Sequence, residues 1–124
     1  MNMTVTFDSS AWIEYFAGTN KGRKVKKYID ENANIFTPSI CLMEIKNKYL
    51  REGHKYKGRI EFISNISSII DINKEIALKG AEIKNKHGLY TVDAVIYAAS
   101  KLNKSILITG DYHFKKLNDV EIIE

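Results

Sequence analysis

Cysteine, proline and histidine are all scarce in this chain, and each scarcity removes a class of protein. The only thiol, Cys41, can close no internal disulfide, which suits a reducing compartment and a small buried side chain at that position. Three histidines, His54, His87 and His113, are scattered along the sequence without a second cysteine, a pattern that disfavours zinc. Pro38 is the one proline, and no glycine/serine linker, internal repeat or low-complexity tract marks a domain boundary. A single domain over residues 1–124 is the expectation, with length enough for a core that needs no staples. No apolar run approaches the roughly 20 residues that span a bilayer. The N-terminus lacks a basic segment followed by an apolar stretch and cleavage site, so a cytoplasmic protein is expected.

What is present begins with charge. The formal net charge is +4, which favours an anionic partner. Lys21, Arg23, Lys24, Lys26 and Lys27 form one basic cluster, and Lys46, Lys48, Arg51, Lys55, Lys57 and Arg59 another. Cations around an acidic centre would suit an enzyme of nucleic acids, since they hold backbone phosphates. The competing reading is that these side chains only solvate helix faces.

Short strand-like runs alternate with longer helical patterns. Strands are expected at 3–7, 34–37, 68–72, 105–109 and 120–123; helices at 10–17, 21–32, 39–52, 56–66, 74–87 and 91–103. Thr37 and Ser39 bracket Pro38 at a helix start, Asn73 and Thr91 are expected caps, and Gly88 a helix end. Ile106-Leu107-Ile108 is continuously apolar, as in a strand buried on both faces of a parallel sheet. The alternation predicts an α/β protein, a three-layer sandwich whose ligands bind beyond the carboxyl ends of the strands.

Four acids interrupt or end these apolar segments. Asp8 follows Thr4-Val5-Thr6-Phe7, and Asp111 follows Ile106-Leu107-Ile108-Thr109-Gly110; Glu44 and Asp93 lie inside helices. Each has an ordinary explanation: Asp8 as a helix cap, Asp93 as a first-turn acid favoured by the helix dipole, Asp111 as a turn residue. Glu44, well inside its helix, is harder to explain alone. Asp93, Tyr97 and Ser100 form a polar stripe beside the apolar face of Val92, Val95, Ile96, Ala99 and Leu102. Two acids at strand ends and two on flanking helices would converge on one pocket, where bare carboxylates repel. A divalent cation resolves that conflict, and oxygen ligands suit Mg²⁺ or Mn²⁺. Such an ion polarises a phosphate and lowers the pKa of its bound water, so RNA cleavage would not need the 2′-hydroxyl as nucleophile. Ser9 and Thr109 flank the strand-end acids and could orient a ligand or water, or serve only capping and turn bonds.

These pieces together resemble the PIN-domain family, and in particular the VapC-type toxin ribonucleases. The matching segments are Phe7-Asp8-Ser9-Ser10, Glu44 in the helix after Pro38-Ser39, Val92-Asp93-Ala94-Val95-Ile96-Tyr97-Ala98-Ala99, and Ile108-Thr109-Gly110-Asp111-Tyr112-His113-Phe114, with Val120-Glu121-Ile122-Ile123 as the last strand. The resemblance implies a five-stranded parallel sheet in an α/β/α sandwich. It further implies Mg²⁺- or Mn²⁺-dependent endoribonuclease activity through Asp8, Glu44, Asp93 and Asp111, a homodimer, and inhibition by a VapB-like antitoxin. An antitoxin peptide would dock near the first helices, where Trp12, Ile13, Tyr15 and Phe16 make the helix apolar nearly all round; burial against neighbouring helices is the competing account. The alternatives are a PIN-type nuclease of RNA maturation or turnover, and a non-catalytic nucleic-acid-binding module.

Overall fold

Along the first strand, β1 (Thr4–Phe7), Val5 and Phe7 enter one apolar core while Thr6 turns to a polar contact on the other side, the period-two alternation of a pleated strand. The computed structural model describes residues 3–124. In it β1 is joined by β2 (Asn34–Pro38), β3 (Ser68–Ile70), β4 (Ile106–Thr109) and β5 (Val120–Ile122). Every pairing is parallel, in the order β3-β2-β1-β4-β5. Parallel neighbours need long crossovers. Here the connections carry α1 (Ser9–Ala17), α2 (Asn20–Asp30), α3 (Ser39–Glu52), α4 (Lys57–Ile66), α5 (Lys74–His87) and α6 (Thr91–Leu102).

Two cores lie on opposite faces of the sheet. Val5, Phe7, Ile35 and Ile108 pack with Trp12, Val25, Ile45 and Ile63 from the first four helices. Leu107 points the other way, into a core with Ile76, Ile83, Ile96 and Ala99 of α5 and α6. This is the α/β/α sandwich with a five-stranded parallel sheet that the sequence predicts. Element ends shift by at most two residues from expectation, and a short 3₁₀ turn at Tyr112–Phe114 was not expected. No helix among the described residues is long and apolar enough to cross a membrane.

Local chemistry sets the helix ends. Asn73 caps α5 by accepting from the Ile76 amide at 2.9 Å, and Gly88 ends it with φ +67°, as expected. Thr91 does not cap α6. The helix begins on Thr91 itself, Tyr90 is the residue before it, and no side chain caps that end. Asp93 supplies negative charge to this first turn instead.

The polar stripe on α6 also divides. Tyr97 is buried and donates to the Asn118 carbonyl, while Ser100 joins a buried hydroxyl network with Ser105 and Thr6. Only Asp93 of that stripe is left for the site. The chain lays down β1, β2 and β3 in one direction and returns to β4 on the other side of β1. The strand order reverses between β1 and β4, the crevice where open parallel sheets bind ligands.

Candidate functional site

The register of β1 against β4 brings distant residues together. Phe7 pairs with Ile108, so Asp8 comes level with Thr109, and Asp111 follows just beyond the same sheet edge. Asp8 is 4% exposed and caps α1. Its Oδ1 accepts from Ser10 Oγ at 2.7 Å and from the Ala11 amide at 2.9 Å; its Oδ2 accepts from the Thr109 hydroxyl. The capping role foreseen for Asp8 is therefore real. An ionised carboxylate offers roughly four lone-pair sites, so this one retains capacity for a cation. Burial, opposed by the bonds from Thr109, Ser10 and Ala11 and reinforced by the Asp111 charge, pushes the Asp8 pKa up to about 6.

Glu44 projects from α3 and accepts a hydrogen bond of 2.5 Å from Ser9 Oγ, which ties α3 to the start of α1. Asp93, in the first turn of α6, is half-buried. Burial raises its pKa first, Asp111 and Glu44 raise it further, and His113 opposes them. Asp111 caps the 3₁₀ turn, its Oδ1 receiving the His113 amide at 2.9 Å and lying 2.9 Å from His113 Nδ1. Asp93, Asp111 and His113 each present one potential ligand atom, all within 4.8 Å of one another. Asp8 and Glu44 stand around that group, felt electrostatically through Asp111 and Asp93.

Two residues at this edge lie inside the matched segments but are not among the expected site residues. Ser10 bridges Asp8 to the far strand, because its Oγ also accepts from the Gly110 amide at 2.9 Å. The doubled serine after Asp8 is the available signal. His113 falls among the scattered histidines, yet it stands two residues after Asp111 in a turn that folds it back. Ser9 and Thr109 bond the carboxylates directly; their contacts orient Glu44 and Asp8.

The helix considered for partner docking is more buried than its pattern suggested. Trp12 is wholly buried, its Nε1 donating to Thr37 Oγ1 at 3.0 Å, so it presents no surface to a partner. Ile13, Tyr15 and Phe16 remain half-buried. Phe62 of α4 stacks on Tyr15, and Arg59 lies 5.7 Å over the Phe16 ring, which accounts for much of the apolar circumference. Cys41 is buried, as expected; desolvation, with Asp8 as a further cause, holds its thiol well above the usual range.

The donor set passes the chemical test for a hard divalent cation. Carboxylate oxygens predominate, one imidazole stands at the rim, and two of the acids carry pKa values raised by burial and mutual repulsion. The α/β/α sandwich, with a group of acids beyond the switch point of its parallel sheet, defines the class of fold. The PIN domain profile matches residues 5–120, and the chain belongs to the PIN domain family. It is 29% identical over 116 residues to a VapC ribonuclease of Pyrococcus furiosus, covering 86% of this chain and 74% of that relative. A toxin–antitoxin complex from Klebsiella pneumoniae contains a chain that superposes with a TM-score of 0.81 at 22% identity, covering 97% of this chain and 98% of that one. VapBC2 from Rickettsia felis, bound to a DNA fragment from its promoter, contains one with a TM-score of 0.74 at 16% identity, covering 98% and 100%. At such identities the structural likeness establishes the fold.

Proposed function

We propose that this protein is a divalent-metal-dependent endoribonuclease and the toxin of a VapBC-type toxin–antitoxin pair. The observation that carries the reading is the meeting of Asp93 and Asp111 within 4.8 Å at the sheet's switch point, with Asp8 and Glu44 around them. Kinship with a VapC ribonuclease supports the substrate, RNA, and the folds found in toxin–antitoxin complexes support a VapB-like antitoxin as partner. An intact acid quartet argues against a binding module without catalysis.

Asp93 and Asp111 would hold the ion, Mg²⁺ or Mn²⁺, with Glu44 and Asp8 completing the acidic wall. When bound, the ion supplies Lewis-acid polarisation of the scissile phosphate and a water of lowered pKa. The chain's own residues set the geometry. Thr109, Ser10 and the Ala11 amide fix both oxygens of Asp8, and Ser9 fixes Glu44. Such hydrogen bonds to ligating carboxylates typically govern metal affinity by roughly 10–100-fold. Burial keeps bulk water from Asp8, so its field acts at low dielectric. The products are 5′-phosphate and 3′-hydroxyl ends. A homodimer working in the cytoplasm completes the proposal.

The test is cleavage of RNA by purified protein with Mn²⁺ or Mg²⁺, with chelator, and with Asp93→Asn. Cleavage that chelator abolishes and that Asp93→Asn loses while staying folded is the expected result. Undiminished cleavage by folded Asp93→Asn would remove the role assigned to this acid.

A further inference from the structure

The two basic clusters conspicuous in the sequence are partly engaged within the protein. Lys26 pairs with Asp30, Lys48 with Glu52, Lys24 reaches the Glu124 carbonyl, and Arg59 lies over Tyr49 and Phe16. A different basic surface appears only in the fold. Two hollows, of about 440 and 410 Å³, adjoin between α5, α6 and the loop that follows β4. They share Lys86, His87, Lys116 and Leu117; the first adds Lys79 and Lys101, the second Lys115, Tyr112 and His113. Glu82 is the one acid lining the first, and none lines the second. Lys101 is paired with Asp119 at 2.6 Å. Lys79, Lys86, Lys115 and Lys116 take part in none of the ion pairs among the described residues.

One end of this trough is lined by His113, the neighbour of Asp111, with Nδ1 2.9 Å from that carboxylate. Two exposed aromatics stand at the same mouth: Tyr112, 53% exposed, and Tyr90, 69% exposed, whose ring meets His113 edge-on at 5.5 Å. Neither ring belongs to the two cores, and the Tyr112 hydroxyl donates to Glu124 Oε1 at 3.1 Å. An acidic centre also repels the phosphates it must act on, so cations leading to it draw the polyanion in. Aromatic faces beside such cations suit unpaired bases, whereas an A-form duplex keeps its bases stacked away from side chains.

We propose that the trough lined by Lys79, Lys86, Lys115 and Lys116 is the track by which single-stranded RNA reaches the acid centre, with bases stacking on Tyr90 and Tyr112 at its mouth. This rests on the ribonuclease reading and adds to it the surface that leads the substrate in. The cations come from α5 and from the loop after β4, so no run of basic residues announces them in the sequence.

The test measures binding of a labelled single-stranded oligoribonucleotide to full-length Asp93→Asn protein, which does not consume it. Lys86→Gln/Lys116→Gln is compared with Lys24→Gln/Lys27→Gln on α2, an equal change of charge. The trough pair should weaken binding about tenfold at low salt and reduce the salt slope by about 1.4, from roughly 0.7 for each phosphate no longer neutralised. The α2 pair should leave both nearly unchanged. Tyr90→Ala should weaken binding by about a further tenfold, the scale of one stacked base, and duplex RNA should bind more weakly than single strand. In the cleaving protein the trough pair should raise KM and leave kcat. Equal losses from both pairs, no loss from the trough pair, or displacement of the RNA by polyglutamate of matching charge at equal affinity would overturn the track. Protein that binds RNA through the trough yet never cuts it with Mn²⁺ would overturn the activity while upholding the track.

Discussion

Asp8 is both a structural cap and a member of the proposed metal site. It caps α1, takes hydroxyl bonds from two other residues, and is buried with a pKa of about 6, above the ordinary 3.8. A carboxyl whose folded pKa is raised favours the folded state while it is protonated. Its contribution is therefore fully present below about pH 4 and lost as pH rises through about 6, a loss on the order of 3 kcal/mol. The Asp8→Asn variant keeps a cap acceptor at this position and does not titrate. Urea unfolding in chelator between pH 4 and 8 should show wild-type stability falling relative to the variant across that window. A flat difference would contradict the assignment, and above pH 6 a divalent cation should restore the wild type by compensating the buried negative charge. Thr109→Val tests the same carboxylate from its partner's side. Loss of the buried hydroxyl should lower stability by about 1–3 kcal/mol and weaken divalent-cation affinity by roughly 10–100-fold, read by calorimetric titration with Mn²⁺.

At the level of elements, the close approach of α1 and α2 depends on Gly22. A β-carbon there would lie 2.1 Å from the Glu14 carbonyl oxygen, against rigid helix backbone. Gly22→Ala should therefore destabilise the fold by about 1–3 kcal/mol or more through forced separation of the two helices, measured as a lower urea midpoint with unchanged slope. The strands and most helix ends were legible because period, caps and apolar runs agree locally, as at Asn73 and Gly88. Thr91 misled because a threonine before a helix suits the capping pattern, yet the chain enters α6 through extended Tyr90. Tyr97 and Ser100 misled because their partners, Asn118 and Ser105, arrive from other segments. Trp12 had the same ambiguity: the pattern showed too many apolar faces, and only packing against α4 and Thr37 showed where they go.

For the whole molecule, the four acids could be picked out one by one, whereas the approach of Asp8 to Asp111 depends on the β1–β4 register. His113 and Ser10 became visible only with that register, because their contacts span the fold or a turn absent from the expected elements. The basic trough is likewise a property of assembly. Removal of metal should abolish RNA cleavage and leave the fold intact, since two apolar cores on either side of the sheet hold it without an ion. Circular dichroism in chelator should be unchanged while cleavage falls to background; an unfolded spectrum would make the metal structural.

The most direct measurement is anomalous diffraction from crystals soaked in Mn²⁺. The expected result is a peak bounded by Asp93 and Asp111, with Glu44 and Asp8 around it, that disappears in Asp93→Asn crystals. Mn²⁺ bound only elsewhere at saturating concentration, with those carboxylates left without an ion, would contradict the shared metal centre.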